Sequence, residues 1–418
     1  MTELKVMQKI LMPYIAKGIS SDAIKMFKRN LFALKRKVFF QKPTIDIFLR
    51  VDDPYSYLLV QVLEAFQARF AIQLRFHIVQ DVDRDMFPEL DMWSINACYD
   101  ADYLARLYGL EFPSNTAPVD ERQAKQLALY LVTIEKQSDF LARANNSLRD
   151  LWFSLKGSEY ALGSNDSDER CGQLSANDCL LKRSGHYLGA MIHFEGEWYW
   201  GIDRLDHLEC RLITLGVANN LDEVVQFDRT YREFCQQPSL PVTRQGEPHD
   251  FILYWSARSP YSYIALERAV QLASHYNIPL KIKPVLPMMM RGMNVPAIKK
   301  MYIFLDTKRE AQKVCLPYGF VADPLGAAVE RCYALVDYAE AENKLQEFLL
   351  SFARGVNAQG IRAETDTGLQ KIVERCGLDW TIARSKLSGQ SWKVWVQENL
   401  DEMFSIGCWG VPSFRYGG

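Results

Sequence analysis

The chain has 418 residues, enough for two or three domains each burying its own core, with 48% hydrophobic and 24% charged residues and a formal net charge of -2. That balance gives no reason to expect nucleic acid or another polyanion as partner. No apolar run approaches the ~18 residues of a membrane span, and the first residues lack the short apolar core of a signal peptide, so we expect a cytoplasmic protein. The nine cysteines form no CxxC pair, and neither they nor the six histidines adopt a zinc-ligand spacing, which points to a reducing compartment and no metal site.

Residues 1–43 form a basic extension, with ten Lys or Arg against Glu3 and Asp22, interleaved with Ile, Leu, Met and Phe at helical spacing. A basic amphipathic helix suits an anionic membrane surface or nucleic acid. The better reading is a place on the body of the protein, because the remaining residues of the chain are net acidic.

The stretch IFLRVDDPYSYLLVQVLEAF (47–66) returns as ILYWSARSPYSYIALERA (252–269), at an offset of 206 that sets Asp53 opposite Ser259. Leu59, Leu63, Phe66 and Phe70 and their counterparts recur at i, i+4, i+7 and i+11, one face of a helix. Ile72, Leu74 and Phe76 and their counterparts alternate as a strand does. Each copy therefore opens strand, helix, strand. A long, mostly helical stretch follows in both. The first copy then reads YLGAMIHFEGEWYWGIDRLDHLECRL (187–212) and the second CWGVPSFRYGG (408–418). With Gly189 set against Gly410, Met191 falls opposite Pro412, and the second copy stops at a turn where the first continues into a strand and a helix. We read this as a truncated C-terminus, a naturally short domain being the alternative. Between the copies, CQQPSLPVTRQGEPHD (235–250) has three prolines and reads as an exposed linker. The expected organisation is an extension at 1–43, a domain at 44–235, a linker at 236–249 and a domain at 250–418.

Ser259 is a favoured N-cap and Pro260 suits the first helical position, so this dipeptide by itself needs no catalytic explanation. In combination with GVPSF (410–414) and with WGIDRL (200–205) of the first copy, however, it resembles the family of 2-hydroxychromene-2-carboxylate isomerases and kappa-class glutathione transferases, relatives of DsbA-like thioredoxin domains. NVPAIKKMYIFLDTKREAQKVCLPYGF (294–320) and SFARGVNAQGIRAETDTGLQKIVERCGLDW (351–380) are similar to the segments between the family's two anchor motifs. The resemblance covers 44–212 in outline and 250–414 more closely. It implies an α/β fold of two tandem thioredoxin-like domains, each with a helical insertion.

It also implies a site. Ser259 would stand where disulfide oxidoreductases carry a cysteine, and bound glutathione would supply the sulfur. A helix N-terminus favours negative charge, and a hydroxyl can donate to a thiolate without forming a disulfide. Val411, before a cis Pro412, would pair its backbone with the cysteinyl part of glutathione. Asn294 and Lys299 match family positions near the glutathione or an acidic substrate, though a turn Asn and a solvated helix Lys read as well. Asp203 matches the residue that takes glutathione's amino group.

In the first copy, Asp53 keeps the helix cap while its charge opposes a thiolate, so 44–212 reads as a degenerate domain, able to form an intramolecular pseudo-dimer with its fellow. The implied activity is a glutathione-dependent isomerase acting on a small unsaturated aromatic acid. Met288, Met289, Met290 and Met293 offer either an adaptable pocket wall or ordinary helix packing. The alternatives are a glutathione transferase, a thiol-disulfide oxidoreductase drawing on Cys408, and a non-catalytic binding protein.

Overall fold

The computed structural model of the chain describes residues 3–155, 167–219, 223–230 and 249–417. The linker expected at 236–249 lies outside them except for His249. The chain divides into two units, Lys28–Arg229 and Met1–Phe27 together with Thr230–Gly418. The division falls inside a basic helix, α2 (Asp22–Val38), which follows α1 (Glu3–Ile19).

In the Lys28–Arg229 unit, β1 (Thr44–Arg50) runs parallel to β2 (Gln73–Val79) and antiparallel to β3 (Met191–Phe194), which pairs with β4 (Glu197–Trp200). The order is β2-β1-β3-β4. Glu195 and Gly196 both take positive φ, the two-residue turn that matches the twist of a hairpin. Helix α3 (Pro54–Arg69) crosses from β1 to β2. Helices α4 (Leu90–Tyr108), α5 (Glu121–Ile134), α6 (Phe140–Trp152) and α7 (Ser167–Ser184) fill the interval before β3, and α8 (Leu205–Thr214) follows β4. β1 is covered on both faces, as a central strand must be. Ile45, Ile47 and Leu49 join the main core with Leu59, Leu63 and Phe66 of α3, while Phe48 packs on His77 and Trp198 on the other side.

In the second unit, β5 (Phe251–Trp255) runs parallel to β6 (Leu280–Pro284) and antiparallel to β7 (Ser413–Tyr416), in the order β6-β5-β7. Helix α9 (Pro260–Tyr276) crosses from β5 to β6. It is followed by α10 (Ala297–Lys313), α11 (Ala327–Ala334), α12 (Val336–Ala341), α13 (Leu345–Ala358), α14 (Asp366–Glu374), α15 (Trp380–Lys386) and α16 (Trp392–Ser405). Leu253, Trp255, Leu266, Phe348, Phe352 and Ile372 lie at the centre of this unit's core. Helix α1 packs here, with Tyr14 edge-on to Phe320 and the Ser20 hydroxyl donating to the Gly319 carbonyl.

The repeated phrase folds in the same way twice. Ile45 pairs with Leu74 and Phe251 with Leu280, the same register at the same offset. The Ser56 hydroxyl accepts from the Arg50 amide, and the Ser262 hydroxyl from the Ser256 amide. The Tyr55 hydroxyl donates to Asp100 at 2.8 Å and the Tyr261 hydroxyl to Asp306 at 2.8 Å.

Candidate active site

Ser259 caps α9. Its backbone is extended, its hydroxyl accepts from the Ser262 amide at 3.3 Å, and Pro260 occupies the first helical position. The helix therefore begins with its positive dipole end at this hydroxyl. The same hydroxyl donates to the carbonyl of Val411 at 3.4 Å, and the Val411–Pro412 peptide bond is cis, as the resemblance implies. Ser259 and Val411 are half-buried and reachable from solvent. Among the described residues the Val411 amide makes no hydrogen bond within the chain, which leaves it open to an incoming extended segment.

The floor is rigid. Trp255 donates to the Ser262 carbonyl, and the buried Tyr333 hydroxyl accepts from the Ala257 amide while donating to the Val285 carbonyl. Arg258 pairs in bidentate fashion with Asp323, both bonds 2.8 Å.

Asn294 is exposed ahead of α10, and Lys299 is half-buried in its first turn. Burial pushes the Lys299 ammonium down to about 8. The Tyr261–Asp306 bond ties α9 to the middle of α10, and Arg309 also pairs with Asp306, at 3.0 Å. Neither Tyr261 nor Asp306 was expected as a site-building residue. The signal was available, since Asp100 and Asp306 stand 206 apart like the rest of the repeat. Met290 packs against the unit's core and Arg291 lies over Phe404, so this part of the methionine segment serves packing. Cys408 likewise packs against the cluster of Ile252, Tyr254, Val285, Leu400 and Met403.

Asp203 lies in the other unit, in a single helical turn, with its carboxylate 2.5 Å from Arg204. In that unit Asp53 caps α3 through the Tyr55 amide and accepts from the Ser56 hydroxyl, but it is only 1% exposed. Burial pushes its carboxyl up to about 6, opposed by the Arg50 guanidinium.

The strand register corrects the alignment of Met191 with Pro412. Phe48 pairs with Met191 and Tyr254 with Ser413, so Met191 corresponds to Ser413, Ala190 to Pro412 and Gly189 to Val411. Matching glycine to glycine shifts the comparison by one residue because Gly189 answers a different demand. A Cβ there would stand 2.4 Å from the Asp53 carboxylate oxygen, so the glycine lets the chain close over the acid. Ala190 has the amide that proline lacks and donates it to Ser56.

Residues 251–418 match the DSBA-like thioredoxin domain, and the C-terminal part of the chain is a domain of that class. No curated protein matches the chain. Among solved structures, a 2-hydroxychromene-2-carboxylate isomerase is 21% identical over 40% of this chain and 85% of its own, with a TM-score of 0.36. A probable DsbA oxidoreductase from Streptomyces coelicolor is 16% identical over 40% of this chain and 80% of its own, with a TM-score of 0.32.

Proposed function

We propose that the C-terminal domain binds glutathione at Ser259 and works as a glutathione-dependent isomerase of the 2-hydroxychromene-2-carboxylate isomerase type, acting on an unsaturated aromatic acid. The observation that carries this reading is the contrast between the two helix starts. Ser259 is a reachable hydroxyl under an unpaired Val411 amide, whereas Asp53 is a buried carboxyl sealed beneath Gly189. The unit holding Asp53 is, on this reading, a degenerate copy that keeps the scaffold without the chemistry.

The chemistry that glutathione supplies when bound is reversible addition of a thiolate to a conjugated double bond, with rotation about the single bond so formed. The chain's part is to hold that thiolate and orient the acid. The Ser259 hydroxyl turns from the Val411 carbonyl to donate to sulfur, and the start of α9 stabilises the charge, favouring ionisation near neutral pH. The Val411 amide fixes the peptide backbone, and Lys299 holds the substrate carboxylate. A transferase would share all of this and differ only in releasing the adduct. A disulfide oxidoreductase is less well supported, because the helix starts with serine and Cys408 is packed against apolar neighbours.

Calorimetry of glutathione binding tests the proposal. Wild-type protein binds, Ser259→Asp keeps the helix cap and loses at least tenfold in affinity through charge repulsion, and Asp53→Ser binds as wild type does. Absence of binding to the folded chain, or binding indifferent to Ser259→Asp, removes the glutathione mechanism.

A further inference from the structure

Helix α2 is docked the wrong way round for a helix that serves only to complete a soluble fold. Within the Lys28–Arg229 unit, its inward residues are Arg29, Phe32 and Arg36. Arg29 makes two hydrogen bonds to Glu197, at 2.6 and 2.7 Å, Arg36 pairs with Glu195, and Phe32 lies against the turn glycine Gly196. Residues 29, 32 and 36 share one face of the helix, and Leu31, Leu34 and Val38 share the opposite face. Those three side chains and Phe39 are more than half exposed, and Phe40, just past the helix end, is 96% exposed. Of the extension at 1–43 that was expected to pack on the protein body, α2 does so through its charged face and leaves its apolar face outward. Turning charge inward and apolar surface outward is unfavourable in water alone, because each exposed large side chain forgoes the gain of its burial.

The flanks of the outward face identify what covers it. Lys28 and Lys35 border it on one side and Lys37 on the other, and residues 23–43 contain no Asp or Glu. Two copies of such a face would repel one another, whereas an anionic surface with an apolar interior complements both its charge and its apolar row. Beside it lies a cavity of about 420 Å³ whose lining includes Phe32, Lys35, Arg36, Lys42, Arg75 and Glu195; Arg36 pairs with Glu195 and Arg75 with Asp46, so Lys35 and Lys42 give it the positive sign that a phosphate headgroup needs.

We propose that the outward face of α2, with Phe39 and Phe40, docks the protein on an anionic lipid bilayer, with a headgroup phosphate seated between Lys35 and Lys42. Leu31, Leu34, Val38 and the two phenylalanines enter the boundary between headgroups and acyl chains, and the lysines stay at the phosphate level.

Vesicle flotation of the full chain tests this, comparing phosphatidylcholine alone with equal phosphatidylcholine and phosphatidylglycerol. The protein should float with the anionic vesicles only, and less as salt is raised. K35E/K42E should lower the affinity by on the order of tenfold or more. L34E/F40E should abolish flotation while leaving the circular dichroism and melting of the free protein unchanged. F40E alone, beyond the helix and almost wholly exposed, gives a partial loss that a folding defect would not explain. No flotation with anionic vesicles, equal flotation with both compositions, or flotation unaffected by L34E/F40E overturns the proposal. So does a lipid-free dimer in sedimentation that L34E/F40E dissociates, since a second copy would then be the cover.

Discussion

Asp53 and Ser259 occupy the same backbone position with opposite chemical consequences. A carboxyl raised to about 6 by burial, against 3.8 for the free group, holds its proton more tightly in the folded than in the unfolded chain. Its contribution to stability is full below about pH 4 and is lost as the pH rises through about 6. Asp53→Asn keeps the cap and removes this cost. We expect it to match wild type at pH 4 and to be more stable by on the order of 2 kcal/mol at pH 7, measured by urea unfolding at both pH values. Lys299 has the opposite sign in binding. With its ammonium lowered to about 8, the hold on a substrate carboxylate that the proposed function gives it would weaken as pH rises through that value. KM for an acidic substrate should therefore climb between about pH 7 and 9 in wild type, and Lys299→Met should raise KM at pH 7 and flatten that climb while leaving glutathione affinity unchanged.

At the scale of elements, the site is a junction of one helix start and one loop, braced by hydrogen bonds that side chains at a distance supply. The Tyr261–Asp306 bond joins the first turn of α9 to α10, and Asp306 is completely buried. Tyr261→Phe removes one donor from that buried carboxylate and should cost about 1–3 kcal/mol in thermal or denaturant unfolding. Because it also loosens α10 against α9, the proposed function predicts that it weakens substrate binding through Lys299 more than glutathione binding. The strand, helix, strand opening was legible at this scale, since β1, α3 and β2 and their counterparts follow apolar periods of two and near 3.6. The tyrosine–aspartate brace is marked in the sequence only by its repetition at the offset of 206, because 45 residues separate its partners and nothing local pairs them. The offset of Met191 was misplaced for a related reason. A glycine in a sequence shows where space is needed but not for what, and only the Phe48–Met191 and Tyr254–Ser413 register reveals that Gly189 makes room for Asp53.

For the whole molecule, each of the two units has, among the described residues, a main core of its own. Leu63 is completely buried in the first, and Leu63→Ala should cost about 2–5 kcal/mol there. Unfolding followed by differential calorimetry should show one transition lowered and the other unmoved. A single transition shifted as a whole would mean that the units melt together. The membrane-docking face belongs to this scale too, because it is a property of how α2 is seated and not of its composition alone.

What the sequence determined by itself is what repetition and periodicity encode: the duplicated β-α-β opening and the exchange of serine for aspartate at the helix start. These are local patterns, set by side-chain spacing along one element, so they can be read without knowing where the element goes. The place of the Gly-Val-Pro loop against that start was implied only by the family resemblance. Tertiary structure alone decided accessibility. Whether a capping residue is reachable or sealed, and whether an amphipathic helix turns its apolar or its charged face outward, depends on what residues far along the chain place beside it. Gly189 closing over Asp53, and Glu195 and Glu197 drawing the arginines of α2 inward, are such decisions. Both follow from the same physics: a buried charge must find its partner first, and the rest of the element takes the orientation that remains.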